Sequence, residues 1–142
     1  MMFENPSRDE IKDMLKHAGV IAVVGLSDNP ERPAFYVSEA MQKKGYRIIP
    51  VHPTAKEVLG QKVYPSLSDV PEPIDIVNVF VRSEMTPPVA EEAVQVKAKA
   101  IWLQQGVFSE EAARIAKDGG LQVVMDRCIK VEDSILLPNG RG

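Results

Sequence analysis

The chain is short of cysteine, of excess positive charge and of long apolar runs, and each shortage closes off a class of protein. A single cysteine, Cys128, cannot form an intramolecular disulfide, and with only two dispersed histidines, His17 and His52, it does not make a zinc site of the usual spacing. Seventeen Lys and Arg against 20 Asp and Glu leave a formal charge of −3. That balance lacks the basic excess that drives sequence-independent attachment to DNA or RNA, so nucleic acid is not an expected partner. The longest apolar stretch, Val20 to Gly25, is far short of the ~20 residues that cross a bilayer, and the opening Met-Met-Phe-Glu-Asn-Pro-Ser-Arg has no n-region followed by an apolar h-region. These features predict a cytoplasmic protein with no membrane association. Repeats, low-complexity tracts and linkers are missing too, and the 11 prolines are spread among turns, so residues 1–142 read as one domain.

What is present is an ordinary globular composition, 44% hydrophobic and 26% charged, arranged as an alternation. A chain of roughly this length buries about 68–70% of its unfolded surface and folds without disulfides or a structural metal. Short apolar runs stand at Val20 to Val24, Tyr46 to Val51, Ile74 to Phe80, Ala100 to Gln104 and Leu121 to Met125, each separated by a segment able to hold a helix. Near-continuous Val/Ile runs are what strands buried on both faces require.

The intervening segments carry helix signals. Ser7 and Glu10 stand three apart before Ile11, Met14, Leu15 and Ala18, a capping-box pattern for an N-terminal helix. Pro33 suits the first turn of a helix running to about Lys44, with Gly45 placed to end it in the left-handed region. Pro87 and Pro88 start another helix, to about Lys97, and Ser109 caps a fourth over Glu110 to Asp118, stopped by Gly119-Gly120. The link from His52 to Pro73 is irregular, with room for a short extended piece near Val63-Tyr64 and one helical turn around Ser66 to Val70. Met14, Met41 and Trp102 fit core positions, and Met1 and Met2 are expected to be mobile. The core spans about residues 7–128. Residues 129–142 form a C-terminal extension whose only apolar cluster is Ile135-Leu136-Leu137, part of it packing or pairing and the end disordered.

Five strands with right-handed helical crossovers predict an α/β Rossmann-like three-layer sandwich with a mostly parallel sheet, most simply in the order 3-2-1-4-5. The spacing alone also allows a flavodoxin-like order. In either case ligands bind outside the carboxyl ends of the strands, at the switch point.

After the first strand comes Gly25-Leu26-Ser27-Asp28-Asn29-Pro30-Glu31-Arg32-Pro33, leading into a helix. A glycine lets the backbone approach a ligand, the helix start offers free N–H groups and a positive dipole end, and Ser27 and Arg32 can add a hydroxyl and a charge-assisted contact to phosphate oxygens. A plain helix-entry loop with a solvated Arg32 is the alternative. The segment is not a dinucleotide fingerprint, because Ser27 and Pro30 stand where glycines would be needed, and Val51-His52-Pro53 ends the second strand where NAD-binding proteins place Asp or Glu. No Walker lysine follows Gly25, which excludes a nucleotide-hydrolysing P-loop.

From Val20 to Cys128, about three quarters of the chain, the sequence resembles the small single-domain CoA-binding proteins, a domain related to the nucleotide-binding part of the succinyl-CoA synthetase α subunit. The resemblance is carried by Val24-Gly25-Leu26-Ser27 with Arg32-Pro33, by Gly45 to Pro53, by Val79-Phe80-Val81-Arg82, by Trp102-Leu103-Gln104-Gln105-Gly106 and by Val124-Met125-Asp126-Arg127-Cys128, in that order. It implies that coenzyme A or an acyl-CoA is the ligand. The turn of Gly25, Leu26 and Ser27, with Arg32 and Pro33, would hold the diphosphate. His52 and Pro53 would border the adenosine end, and Phe80, Val81 and Arg82 with Gln105 and Gly106 the crevice. The residues agree in kind, since CoA needs cations for its phosphates, Arg32 first and then Arg82 and Lys56, and a partly apolar slot for its arm. Arg82 and Lys56 also read as solvated, and the Phe80 ring as core.

A ligase-type reaction is not expected from this chain alone, because the related synthetases add further domains, and the leading reading is a carrier, sensor or regulatory protein that binds without turnover. Two alternatives stay open: an enzyme acting on a CoA thioester or nucleotide-linked substrate through His52 or Cys128, and an interaction subunit of an acyl-CoA ligase. His17 reads only as a cation at the negative end of the first helix. Cys128 reads as an inert buried thiol or, more sharply, as a thiol activated by Arg127 that forms a mixed disulfide with CoA.

Overall fold

A computed structural model describes residues 3–140; Met1, Met2, Arg141 and Gly142, and with them the expectations for the two leading methionines and the last residues, lie outside the described residues. The elements run α1 Arg8–His17, β1 Val20–Val24, α2 Pro33–Lys43, β2 Arg47–Val51, β3 Glu57–Val58, β4 Gln61–Lys62, a 3₁₀ turn Leu67–Asp69, β5 Ile76–Val79, a 3₁₀ turn Ser83–Met85, α3 Thr86–Gln95, β6 Ala100–Leu103, α4 Glu110–Asp118, β7 Gln122–Val124 and α5 Ile129–Leu136. The expected caps form. The Ser7 hydroxyl accepts from the Glu10 N–H at 3.2 Å while the Glu10 carboxylate accepts from the Ser7 N–H at 3.1 Å, and the Ser109 hydroxyl accepts from Ala112 at 3.0 Å. Gly45 ends the α2 segment with φ +100°.

β2, β1, β5, β6 and β7 form one parallel sheet in that order. Numbered as the five expected strands, this is 2-1-3-4-5, which corrects the order 3-2-1-4-5. The reason lies in the irregular link. Tyr64 makes a single parallel bridge beside Val51, its N–H donating to Pro50 and its carbonyl accepting from His52, both at 3.0 Å. The extended piece expected near Val63-Tyr64 therefore occupies the outer position next to β2, reduced to one residue, and the strand beginning at Ile76 is displaced to the other side of β1. Counting Tyr64 as a vestigial strand restores the Rossmann order 3-2-1-4-5-6.

Successive strand residues point to opposite faces, as the pleat requires. Ile21, Val23, Ile48, Ile76, Trp102 and Val124 pack under α1, α2 and α5. Ala22, Val77, Val79, Ile101, Leu103 and Val123 pack under α3 and α4, whose facing residues Ala90, Ala93, Ala112, Ala113 and Ala116 let those helices lie close. Each large side chain so buried contributes roughly 1.5–3 kcal/mol. Trp102 is fully buried and donates its indole N–H to the Arg127 carbonyl at 2.9 Å, joining the sheet to the segment before α5. Residues 129–137, part of the expected extension, contain the helix α5, and Ile129 and Leu137 belong to the core under α2. Its docking is polar as well as apolar: buried Asp133 accepts from the Tyr46 hydroxyl at 2.6 Å and from Lys44 at 2.8 Å. Among the described residues no helix is long and apolar enough to cross a membrane.

Candidate functional site

β1 and β5 are neighbours whose outgoing connections run to opposite faces, and the backbone beyond them is where the sheet opens. Gly25 follows β1 with φ +91°, and a Cβ built on it would stand 3.1 Å from the Phe80 carbonyl oxygen and 3.4 Å from Val81 Cγ1. Both the dihedral and the approach of the chain after β5 call for glycine. The loop that follows is held by its own bonds: Asn29 Oδ1 accepts from the Glu31 N–H at 3.0 Å and the Asn29 carbonyl from the Arg32 N–H at 3.1 Å. It delivers Arg32 to the N-cap and Pro33 to the first turn of α2, which no side chain caps. The result is a cleft of about 360 Å³ lined by Gly25, Ser27, Arg32, Pro33, Ala34, His52 and Phe80.

The charge of Arg32 is uncommitted. The ion pairs among the described residues engage Lys44 with Asp133, Arg47 with Glu72, Lys99 with Asp75, Arg82 with Glu84 and His17 with Asp13, and none involves Arg32. His52 enters from the end of β2 with its Nδ1 accepting from the N–H groups of Thr54 and Ala55 at 3.2 and 3.1 Å. Two donors on Nδ1 leave the ring proton on Nε2, so His52 presents a donor to the cleft.

A second cavity of about 330 Å³ adjoins the first, sharing Pro33 and Phe80 and adding Tyr36, Val37, Gln104, Gln105, Val107 and Cys128. Its walls are mainly apolar, with buried Gln104 and exposed Gln105 as polar exceptions. Gln104 donates its Nε2–H to Asn78 Oδ1 at 2.6 Å; its Oε1 has no partner among the described residues. Cys128 and Gln105 are shared in turn with a third cavity, also about 330 Å³, lined by Asp126, Arg127, Val131 and Glu132.

Of the residues singled out beforehand, Gly25, Ser27, Arg32, Pro33, His52 and Phe80 stand around one cleft, and Gln105 lines the next. The Leu26 side chain is fully buried in the core, so only its backbone belongs to the loop. Val81 backs Gly25. Pro53 and Lys56 are exposed and line none of these cavities. Arg82, its side chain 84% exposed, lies 3.7 Å from Glu84 and points its charge elsewhere. Gly106, with φ +85°, donates its N–H to Asp126 Oδ1 at 2.7 Å and shapes the turn after β6. Tyr36 and Val37 were not singled out, although Pro33, Tyr36 and Val37 share one helical face by their spacing, a signal available once α2 is placed. Gln104 follows Trp102 by two along the extended chain and so shares its face.

A family described as "CoA binding domain" matches residues 19–134. The chain is 52% identical over 132 residues to an uncharacterized protein, YneT, of Bacillus subtilis (strain 168), covering 93% of this chain and 98% of that one. It is 31% identical over 99 residues to an acetate–CoA ligase [ADP-forming] II of Archaeoglobus fulgidus, covering 68% of this chain but only 15% of the ligase. Among solved structures, a hypothetical protein from Pyrococcus horikoshii OT3 superposes with TM-score 0.90 at 36% identity, covering 96% of this chain and 99% of that one. A dinucleotide-forming acetyl-coenzyme A synthetase 1 of Ca. Korarchaeum cryptofilum gives TM-score 0.71 at 25% identity, covering 82% of this chain and 28% of the synthetase. Since the family match runs from the residue before β1 to the middle of α5, it takes in every strand that shapes the cleft, and the chain belongs to the family of CoA binding domains.

Proposed function

We propose that the chain binds coenzyme A or an acyl-CoA in the cytoplasm, as a carrier, sensor or regulatory protein that does not turn its ligand over. The observation that carries this reading is the division of the groove. One compartment holds an unpaired arginine, a serine, a helix start and the donor of His52, and the next, reached past Pro33 and Phe80, is mainly apolar. CoA is divided in the same way, with phosphates at one end and a long, weakly polar arm at the other. In this reading the diphosphate lies on the Gly25–Ser27 turn under Arg32 and the positive end of α2, where charge-assisted bonds are strongest. The adenosine end lies toward the Nε2–H of His52 and the arm crosses Phe80. His52, its Nδ1 engaged by two backbone N–H groups, offers the adenosine end a hydrogen-bond donor at Nε2.

Thermal unfolding with CoA, dephospho-CoA, acetyl-CoA, NAD, NADP, FMN and ATP tests the reading. A ligand at 100 times its Kd stabilises the native state by about 2.7 kcal/mol. CoA and acetyl-CoA are expected to raise Tm, and NAD, NADP and FMN to leave it in place; equal shifts for NAD and CoA would overturn the assignment. A second reading, a subunit that works with an acyl-CoA ligase partner, is favoured by the ligase relatives and by Met85 and Phe108 on the surface, brought near each other where Ser83 Oγ accepts from the Phe108 N–H at 3.0 Å. Co-purification that strengthens on adding CoA is the outcome that reading expects.

A further inference from the structure

Two largely buried side chains beside Cys128, Glu132 and Gln104, have an acceptor with no donor among the described residues. Glu132 is 5% exposed and lines the cavity it shares with Cys128, one helical turn earlier, yet its carboxylate has neither a hydrogen bond nor an ion pair among the described residues. Gln104, 4% exposed, turns an unpartnered Oε1 in the cavity on the other side of the same cysteine. Among the described residues the fully buried side-chain atom without a partner is Ser38 Oγ; the acceptors of Glu132 and Gln104 instead open onto the cavities beside Cys128, where an occupant can bring donors to both. By contrast the neighbouring acid, Asp133, is fully engaged by Tyr46 and Lys44. The thiol stands where the apolar end of the groove meets a second opening, with Gln105 and Cys128 common to both.

Resting on the CoA reading above, we propose that Cys128 is a covalent loading point: it exchanges with the disulfide form of CoA and keeps one half as a protein–CoA mixed disulfide. The arm of the retained half, which carries two amide N–H donors, lies over Gln104 and brings its sulfur to Cys128. The Cys128 thiol gives its proton to the Glu132 carboxylate, and the resulting thiolate attacks the near sulfur of the CoA disulfide. One S–S bond breaks as the Sγ–S bond forms. The other half leaves as CoA thiolate through the cavity lined by Glu132 and recovers the proton there. The net change is protein thiol plus CoA disulfide to protein–CoA disulfide plus CoA thiol, with the CoA disulfide as the oxidant.

The test uses the full reduced chain, CoA disulfide as the probe and oxidised glutathione as a disulfide without the nucleotide, followed by intact-mass analysis with time. One adduct per chain is expected, located on Cys128, with a rate that saturates in CoA disulfide and exceeds that of glutathione disulfide by about tenfold or more, because the site holds the reactants together. Cys128→Ser forms no adduct, and stabilisation of the parent by CoA in thermal unfolding reports binding separately from loading. Glu132→Gln slows loading at neutral pH, and the difference closes as the pH rises toward the ordinary ionisation range of a thiol. Equal rates for the two disulfides, an adduct that survives Cys128→Ser, or a Glu132→Gln variant that loads as fast as the parent at neutral pH overturns the proposal. Failure of CoA to stabilise the parent would instead bring down the binding reading on which it rests.

Discussion

The two edges of the sheet treat their polar groups in opposite ways. At the amino edge, Asp75 accepts from the N–H groups of Gly19 and Val20, each at 2.8 Å, and lies 3.2 Å from Lys99. His17 and Asp13 pair at 3.2 Å beside it, and the cavity they enclose measures about 130 Å³. Asp75 and Lys99 there answer each other. At the carboxyl edge the cavities are larger and, among the described residues, Arg32 has no carboxylate, Gln104 Oε1 and Glu132 have no donor, and α2 begins without a capping side chain. One sheet thus separates an end whose polar groups pair with one another from an end whose unpaired groups are available to a ligand. Strand polarity accounts for the asymmetry, since at the carboxyl edge the helix starts, with their free N–H groups, follow the strand ends.

Substitutions can dissociate the two edges. Asp75→Ala removes the acceptor of two backbone N–H groups and the partner of Lys99, and is expected to lower stability by about 2–3 kcal/mol while leaving the Kd for CoA unchanged, read from urea unfolding and calorimetric titration. Arg32→Ala should do the reverse: unfolding unchanged, CoA binding weaker by about tenfold or more, as for loss of a charge-assisted hydrogen bond. A variant at Arg32 that binds CoA like the parent would place the phosphates elsewhere. Gly25→Ala sits where the contrast blurs. A residue with a Cβ at φ +91° costs about 1–2 kcal/mol, and the 3.1 Å approach to the Phe80 carbonyl forces the loop apart, so stability and binding should fall together.

The amount legible in the sequence followed the range of the forces. Strands read from Val/Ile runs and helices read from Ser7, Pro33 and Ser109 are local features, and the turn at Gly25 could be placed because a glycine between a buried strand and a proline-headed helix has few other uses. Strand order was not local. It turns on whether the segment at Tyr64 or the one at Ile76 flanks β2, and the former does so through a single bridge. α5 was missed for a similar reason. Cys128 offers no side-chain cap, and two of its buried residues are acids; Asp133 tolerates burial only because Tyr46 and Lys44, 87 and 89 residues earlier, supply donors. The groove was legible where its walls come from one loop and hidden where Cys128, Gln104 and Glu132 converge from different elements.

The smallest expected effect concerns acid. Burial pushes the Asp75 carboxyl up, but the N–H groups of Val20 and Gly19 and the ammonium of Lys99 together outweigh it and hold the group below the usual carboxylate range. The unfolded chain, with this carboxyl near about 3.9, therefore takes up the proton first as pH falls. The contribution of Asp75 is present in full above that value and is lost as the pH falls through the lower, folded one. Asp75→Asn keeps an oxygen for the backbone donors but cannot titrate. The urea midpoint of the parent should exceed that of Asp75→Asn by a constant margin above about pH 5 and converge on it below about pH 4. A margin that stays constant into strong acid would mean that the amino edge is held by shape rather than by the charge of Asp75, and the contrast between the two edges would lose its electrostatic half.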